Sequence, residues 1–455
     1  MKVTSVNHRL IVRDEAHEKI LLAGDCAGRV LPSFDYEERH TAETDYINQI
    51  ALDHFGIEVT VLRCLRNTVD RGKVVRTYEM EYHGKNSQAA LDLRWFGRDE
   101  ITQVLWQLTE DRMTVENWFA MTLQLQAPRP NWQRPRWWRE ACEWIAHSLD
   151  PNGVGRIKKV TQLRQWDSSC VIHVRCDNAQ YFFKAVPEHS REREVAIFLA
   201  RHSPALPEVV AVHNEHKWML MRAFEGSSLE DCSDVGLWVV GLTSYAQLQS
   251  HCASMTAEPA LLEISTLDME KLSYDIDTLL SDSAALLEGE PDGLSAAQID
   301  YLRMKSLALK NGVRRLAAGT IPSTIEHGDL WPGNILVHQT GCAIIDWEDV
   351  RLAHPFFSIA PLIAGMDTYQ PTMNLLDALD RFREIYTAAF VRFGRLEELR
   401  EAFAIALPIA TLEIAIRYWH QPPAIVAVNP WMRALVPYFA SLPYRKLGLD
   451  SGWPD

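Results

Sequence analysis

No GxxxxGK[ST] motif occurs anywhere in the chain, which argues against a Walker-type nucleotide site. Paired cysteines are missing too. The eight cysteines, Cys26, Cys64, Cys142, Cys170, Cys176, Cys232, Cys252 and Cys342, form no CxxC pair and are scattered. That pattern suits reduced thiols in a cytoplasmic protein, not a disulfide framework or a zinc site. There is no basic surplus: 46 Lys+Arg face 60 Asp+Glu, for a formal net charge of −14. Nucleic acids and anionic membranes select for the opposite balance, so neither is expected as a partner. Long apolar runs are absent as well. The most apolar C-terminal stretch, Phe403 to Trp419, is interrupted by Pro408, Glu413 and Arg417 and is too short and polar to span a bilayer. The opening MKVTSVNHRLIVRDEAHEK has no uninterrupted apolar core, so no signal peptide is expected. What remains is a chain of 455 residues with 47% hydrophobic and 23% charged residues, suited to two or three soluble globular domains.

The chemistry concentrates in Ile325–Asp349, IEHGDLWPGNILVHQTGCAIIDWED. Asp329 and Asn334 are five apart and bracket Pro332-Gly333, which suits a compact loop with both side chains in one site. The segment after Asn334 reads as a strand, a turn at Gln339-Thr340-Gly341 and a second strand. A hairpin of that build returns Asp346 beside Asn334. Phosphoryl transfer needs phosphate charge neutralised and an acceptor hydroxyl positioned. Mg²⁺ takes hard oxygen donors, here the Asp346 carboxylate and the Asn334 amide oxygen. Asp329 is then the carboxylate that orients the hydroxyl and takes its proton.

A nucleotide site for this stretch must come from upstream. From Lys159 the pattern is one of strands, with Val171, His173 and Arg175 alternating with Ile172, Val174 and Cys176. The turn at Trp166–Ser169 stands where a phosphate-covering loop would lie. It has no glycine, so Ser168 and Ser169 hydroxyls and backbone N–H groups are its candidate phosphate ligands. Lys184 sits in the apolar strand FFKAV and there calls for an anionic partner. Glu194, on a helix ten residues on, is the candidate, with Glu192 as the alternative register. Met221, Ala223 and Phe224 lie in a segment suited to binding an adenine edge through its backbone. The alternative for each is plain: an edge-strand lysine, a solvated glutamate, an ordinary core strand.

Leu237 to Leu316 reads as three helices. Between Glu258 and Asp300 there are eleven Asp/Glu and a single Lys. Solvated helix faces explain such a run; an acidic wall facing a cationic substrate is the sharper alternative. Helices are also expected over Met373–Phe393, Glu397–His420 and Pro430–Ala440, where Tyr418, Trp419, His420 and Trp431 are candidate acceptor-lining aromatics or, more simply, core.

HGDLWPGNIL followed by IIDWE resembles the aminoglycoside phosphotransferase family, which shares a protein-kinase-like fold with choline and homoserine kinases. The resemblance runs from about Val160 to Leu442. It implies an α+β, two-lobed fold with a β-rich small lobe (159–224) and a helical large lobe (225–455). It implies Asp329 as catalytic base, Asn334 and Asp346 as Mg²⁺ ligands, Lys184 on the ATP phosphates, Glu194 orienting Lys184, and His327 bracing the loop. Two positions depart from the pattern: Trp331, where the family often has a polar residue, and Ser358, where it commonly has Asp.

The first 126 residues read as strands Val6–Val12, Lys19–Ala23, Glu58–Asn67 and Val74–Tyr82 around a helix Thr41–Phe55 closed by Gly56. ALDHFGIEV and DLRWFGRDEI in this region resemble the Nudix fold. Aligning Gly56 with that family's glycine leaves Asp53-His54 and Gln49-Ile50 where its acidic ligands belong. The resemblance therefore implies an α/β domain that is structural or ligand-sensing, not hydrolytic. Residues 127–158, opening APRPNWQRPRWWR, form a linker and a packing helix from Pro135 to Leu149, with Asn152-Gly153-Val154-Gly155 breaking it.

The expected activity is an ATP- and Mg²⁺-dependent small-molecule kinase acting on a hydroxyl-bearing substrate, with aminoglycoside-type antibiotics as the leading acceptor. Choline-, homoserine- or sugar-type metabolites are the alternative acceptors. A non-catalytic nucleotide sensor and a bifunctional kinase–Nudix hydrolase are the alternative functions.

Overall fold

Strand alternation accounts for the first sheet. The computed structural model describes residues 5–454 apart from 15–18, 26, 71–72, 86–91, 125–128, 150–154, 256–257, 259–260, 262, 371 and 451. Cys26, the Ala127 start of the linker and Asn152-Gly153-Val154 of the expected helix break lie outside the described residues. The chain forms two compact units, one comprising residues 1–188, 210–222 and 427–429, the other the remainder.

In the first unit, strands β1 (Val6–Arg13), β2 (Lys19–Asp25), β3 (Gly28–Val30), β4 (Ser33–Tyr36), β5 (Ile57–Asp70), β6 (Lys73–Lys85) and β7 (Leu93–Gly97) build one sheet. Its order is β3-β2-β1-β6-β5, with β4 on β1 and β7 on β2. The β1–β6 pair is parallel. Period-two alternation sends Leu10, Val12 and Leu21 to one face and Ile11, Ile20 and Leu22 to the other. Helix α1 (Asp45–Phe55) covers the first face with Tyr46, Ile47, Ala51 and Phe55. Two further helices follow, α2 (Arg98–Ile101) and α3 (Thr109–Gln124), and α3 covers the second face with Val115, Trp118 and Phe119. Gly56 ends α1 at φ 65°, its N–H bonded back to Ala51 and Leu52 carbonyls, as its position after the last apolar residue predicts. The helix starts four residues later than expected, because residues 41–42 form a turn and residues 42–44 are engaged elsewhere.

Their partner is β8 (Ile157–Gln165), an edge strand of the second sheet. With β9 (Cys170–Cys176), β10 (Gln180–Ala185), β11 (Val209–Val212) and β12 (Trp218–Arg222) it forms a sheet ordered β11-β12-β10-β9-β8. Cys170, Ile172, Val174, Tyr181, Phe183 and Leu220 give this sheet a buried face, on which helix α4 (Trp137–Leu149) lies. The fully buried stripe of α4 is Trp137, Ala141, Ile145 and Leu149, spaced by four. It is narrower than the sequence suggests: Trp138, Cys142 and Trp144 are only half-buried.

The second unit is mainly helical: α5 (Glu192–His202), α6 (Val235–Cys252), α7 (Met269–Ser281), α8 (Ala296–Ala317), α9 (Ile359–Tyr369), α10 (Leu375–Ala389), α11 (Leu396–Trp419), α12 (Pro423–Val428) and α13 (Met432–Arg445). Among these helices stand β13 (Ser227–Ser228), β15 (Ile335–His338) and β16 (Gly341–Ile344) in one small sheet, and β14 (Thr324–Glu326) paired with β17 (Arg351–Ala353). No helix among the described residues is long and apolar enough to cross a membrane. The seven described cysteines are free thiols.

The β14–β17 pair sets Glu326 opposite Arg351. Arg351 Nε donates to Glu326 at 2.6 Å, and both Nη atoms donate to Glu413 of α11, Nη2 at 2.7 Å. All three side chains are buried. Burial alone would raise the Glu413 carboxyl, but Arg417 and Arg351 more than offset it and hold it below the ordinary range. Removing one partner of such a set strands a charge, at about 3–5 kcal/mol. Because the folded-state pKa is depressed, this stability is present above the unfolded pKa, near ~4.3, and is lost as pH falls through the folded value. Glu413→Gln is therefore expected to lower the thermal unfolding midpoint at neutral pH, and the gap to the native chain to close below pH ~4. An undiminished gap at the lowest pH where both proteins still unfold cooperatively would contradict this assignment.

Candidate active site

His327, Gly328 and Asp329 leave β14, pass through Leu330 and Trp331, and enter the short turn Pro332–Asn334 that opens β15. Gly328 stands at φ 80°, and a Cβ there would lie 2.2 Å from the Asp349 carbonyl oxygen. The loop can thus approach the Asp349 backbone only with glycine at this position. Proline at the turn's first position presets its φ. Asn334 Nδ2 donates to the Asp329 carbonyl at 2.9 Å and to its carboxylate at 3.2 Å. Ile345 N–H, one residue before Asp346, donates to the Asn334 carbonyl at 2.9 Å. The β15–β16 hairpin therefore returns Asp346 to the loop, as the spacing predicts.

His327 joins these parts. It is fully buried, donates from Nε2 to the Ile345 carbonyl at 2.9 Å, and accepts the Asp329 N–H on Nδ1 at 3.3 Å. Burial lowers its pKa, so the ring is neutral and these two bonds set its tautomer. It braces the loop and has no free nitrogen for a chemical step.

Three carboxylates crowd this place. Burial pushes Asp329 up to about 7; Asp349 and Asp346 add to the rise, while Arg417 and the Asn334 bond oppose it. Asp346 is a non-glycine residue in the left-handed region, at φ 65°, a conformation that costs on the order of 1 kcal/mol. Repelling carboxylates, one of them held in a strained turn, are what a bound cation relieves. Asn334 spends its amide donors on Asp329, which leaves its carbonyl oxygen for a cation. One carboxylate and one amide oxygen fit a hard divalent ion that draws its remaining ligands from phosphate and water. Among the described residues no group of three or more His, Cys, Asp or Glu is placed to hold a metal by itself.

The nucleotide candidates divide between the units. Lys184 is buried in β10, and Met221 is in β12. Ser168 and Ser169 are half-buried in the turn between β8 and β9. In the second unit, Glu194 accepts from Arg193 at 2.8 Å, while Glu192, in the same first turn of α5, is 2% exposed. Ala223 and Phe224 follow β12, and the Phe224 ring stacks on His338 with centroids 4.9 Å apart. At the end of α1, Asp53 is exposed and accepts from Gln49 at 2.9 Å, an ordinary i,i+4 surface bond.

A cavity of about 200 Å³ opens beside the loop in the second unit, lined by Asp268, Lys271, Asp275, Glu413, Arg417 and His420 with apolar neighbours. Arg417 links it to the loop by donating to the Gly328 carbonyl. Of the aromatic candidates only His420 lines it. Trp419 Nε1 donates to Asp282 at 3.2 Å, Tyr418 stacks on Phe439, and Trp431 is 45% exposed. The acidic middle region does not form a wall: Glu263, Asp277, Glu290 and Asp300 pair with Arg191, Lys310, Arg433 and Arg303, and only Asp268 and Asp275 reach the cavity.

Residues 159–399, more than half of the chain, match the phosphotransferase enzyme family. The chain belongs to that family. It is a phosphotransferase with an alcohol group as acceptor and a protein-kinase-like α+β fold, and its family uses ATP with a divalent metal. Among solved structures, an ethanolamine kinase from Plasmodium vivax aligns at 13% identity over 66% of this chain and 88% of its own, with a TM-score of 0.43. A choline kinase from Streptococcus pneumoniae aligns at 16% over 66% and 99%, TM-score 0.40. A macrolide 2′-phosphotransferase from Brachybacterium faecium aligns at 15% over 66% and 97%, TM-score 0.40. None of the curated proteins matches this chain.

Two departures from the family pattern now have a physical setting. Trp331 is half-buried and meets Tyr369 edge-on at 5.9 Å, so it packs the loop's outer side. Ser358 is fully buried and donates to Glu326 at 3.1 Å, while Tyr245 O–H donates to Ser358 at 2.7 Å and accepts the His327 N–H at 3.0 Å. A neutral relay through Tyr245 and Ser358 thus ties the phosphotransferase loop to Glu326. Tyr245, Arg417 and Glu413 escape a sequence reading because they sit on distant helices, and the only signal is that each is polar in an apolar helical run.

Tyr245→Phe is expected to lower stability by about 1–3 kcal/mol, since it strands a buried N–H. It is also expected to reduce turnover while leaving Mg·ATP affinity within about twofold. Unchanged turnover in a folded variant would remove the relay from the positioning of the loop.

Proposed function

We propose that this phosphotransferase moves the γ-phosphoryl group of ATP, with Mg²⁺, onto the hydroxyl of a small amine-bearing molecule. The observation that carries this is the joining of Asp329, Asn334 and Asp346 by the His327 brace and the β15–β16 hairpin. Asp329 orients the acceptor hydroxyl and takes its proton as the oxygen forms its bond to the γ-phosphorus; the bond to the β-bridging oxygen breaks and ADP leaves. Asn334 fixes Asp329 from one side and, with Asp346, holds the ion. Bound Mg²⁺ supplies charge neutralisation at the phosphate oxygens. Lys184, buried in its strand, carries the ammonium for the phosphates.

Taken as the acceptor pocket, the cavity bordered by Arg417, at about 200 Å³ and below the ~300–1,000 Å³ typical of drug-sized ligands, suits an acyclic amino alcohol or a single sugar better than a multi-ring aminoglycoside, although none of Asp329, Asn334 and Asp346 lines it. Asp268 and Asp275 support an amine on it, although Lys271 already pairs with Asp275. Among the described residues no carboxylate cluster forms at Asp53, which supports a non-hydrolytic role for the Nudix-like part. The free thiols of the seven described cysteines support a cytoplasmic location.

The test is phosphate transfer from Mg·ATP to a panel of choline, ethanolamine, homoserine, single amino sugars and multi-ring aminoglycosides. Asp329→Asn is expected to cut transfer by about 10²–10⁴-fold and to keep Mg·ATP binding. Transfer to multi-ring aminoglycosides alone would overturn the size argument. Binding of Mg·ATP with transfer to no member of the panel would favour a nucleotide sensor.

A further inference from the structure

The turn between β8 and β9 is shaped from outside its own sheet. Residues 42–44 lie along the open edge of β8: Gln165 N–H donates to the Ala42 carbonyl at 2.8 Å, and Thr44 N–H to the Leu163 carbonyl at 3.0 Å. Two buried glutamines on β8 bond to the backbone of β5. Gln162 donates to the Val61 carbonyl at 2.8 Å and accepts the Val61 N–H at 2.9 Å, so its amide closes a two-bond pair with a peptide group. Gln165 donates to the Leu62 carbonyl at 2.7 Å. These side chains are 3% and 5% exposed. At so buried a place every unmet amide costs, and here the seven-stranded sheet meets them.

The contacts continue into the turn itself. Trp166 N–H closes it on the Ser169 carbonyl at 2.9 Å. From the linker, Trp132 Nε1 donates to the Trp166 carbonyl at 2.7 Å and Gln133 Nε2 to the Asp167 carboxylate at 2.6 Å. His40 stacks on the Trp166 ring with centroids 4.8 Å apart. The turn contains no glycine and is held at three points by residues that lie before the small lobe in sequence. A loop ordered in advance loses less entropy when its ligand arrives.

We propose that Trp132, Gln133 and His40 are positioning residues that pre-order the Trp166–Ser169 turn for the nucleotide's phosphates, so that the N-terminal sheet and linker set nucleotide affinity. This rests on the reading that the turn faces those phosphates.

The test is calorimetry on the full chain with Mg·AMP-PNP and, separately, with adenosine. Gln133→Ala is expected to weaken Mg·AMP-PNP about tenfold and to leave adenosine unchanged, because only the phosphate end meets the turn. Asp167→Ala should do the same, and the double variant should be no weaker than either single, since both remove one bond. Trp132→Phe keeps an aromatic ring while removing the Nε1 donor and part of the buried indole, and it serves as an independent arm if Gln133→Ala does not fold. Unchanged Mg·AMP-PNP affinity in both variants overturns the proposal, as does an equal loss for adenosine, which would mean general loosening. Ser168→Glu separates the underlying reading. A charge there must weaken Mg·AMP-PNP if the turn faces phosphate; no effect removes that reading and the proposal with it.

Discussion

The Arg351 guanidinium is the interaction on which the Asp329 loop depends. It lies opposite Glu326 on the strand pair that leads into the loop and is clamped by Glu413 from a helix. Glu326 in turn receives Ser358, Ser358 receives Tyr245, and Tyr245 receives the backbone of His327. A buried charge of this kind contributes little net stability against an apolar replacement, and its worth lies in permitting one arrangement only. Here that arrangement sets the start of the loop carrying Asp329. Arg417 adds a second attachment at the Gly328 carbonyl from the same helix as Glu413. The helix therefore meets the loop both through its charge network and directly.

Much of the site was legible because its spacing is local. Asp329 and Asn334 are five residues apart, and the turn before Asp346 is marked by glycine, so a short hairpin was the natural reading. What escaped was set by distance along the chain. Tyr245 acts on His327, 82 positions away, and Glu413 on Arg351, 62 positions away, and nothing in their helices marks them except polarity among apolar neighbours. Ser358 shows the opposite hazard: it departs from the family pattern, yet its hydroxyl donates to Glu326, which an ionised carboxylate there could not do. In the fold, Gly56 announced its helix end through local backbone demand, whereas residues 42–44 were read as helix because their pairing with β8 lies over a hundred residues ahead. The acidic stretch between Glu258 and Asp300 was ambiguous because composition does not say which way a helix faces; among its eleven carboxylates, Glu263, Asp277, Glu290 and Asp300 pair with surface cations.

The two sheets of the first unit are joined by amides and backbone as well as by apolar packing. An exposed β-strand edge is a template for unwanted pairing, and the edge of β8 is occupied by residues 42–44. Buried glutamines make the seam selective: each needs a specific carbonyl or N–H, and a shift by one residue would leave several unmet. The same seam makes the first part of the chain a poor candidate for removal, because Gln162 and Gln165 would then face water across a surface shaped for peptide groups.

Asp346 carries a consequence of another kind. Its left-handed backbone is the conformation glycine adopts freely, so the residue that best suits the fold at this position has no carboxylate. A search for stabilising substitutions guided by backbone preference would select glycine there and return a sturdier protein without the carboxylate proposed to hold the metal. Position 346 is thus one where improvement judged by folding and improvement judged by chemistry lie in opposite directions.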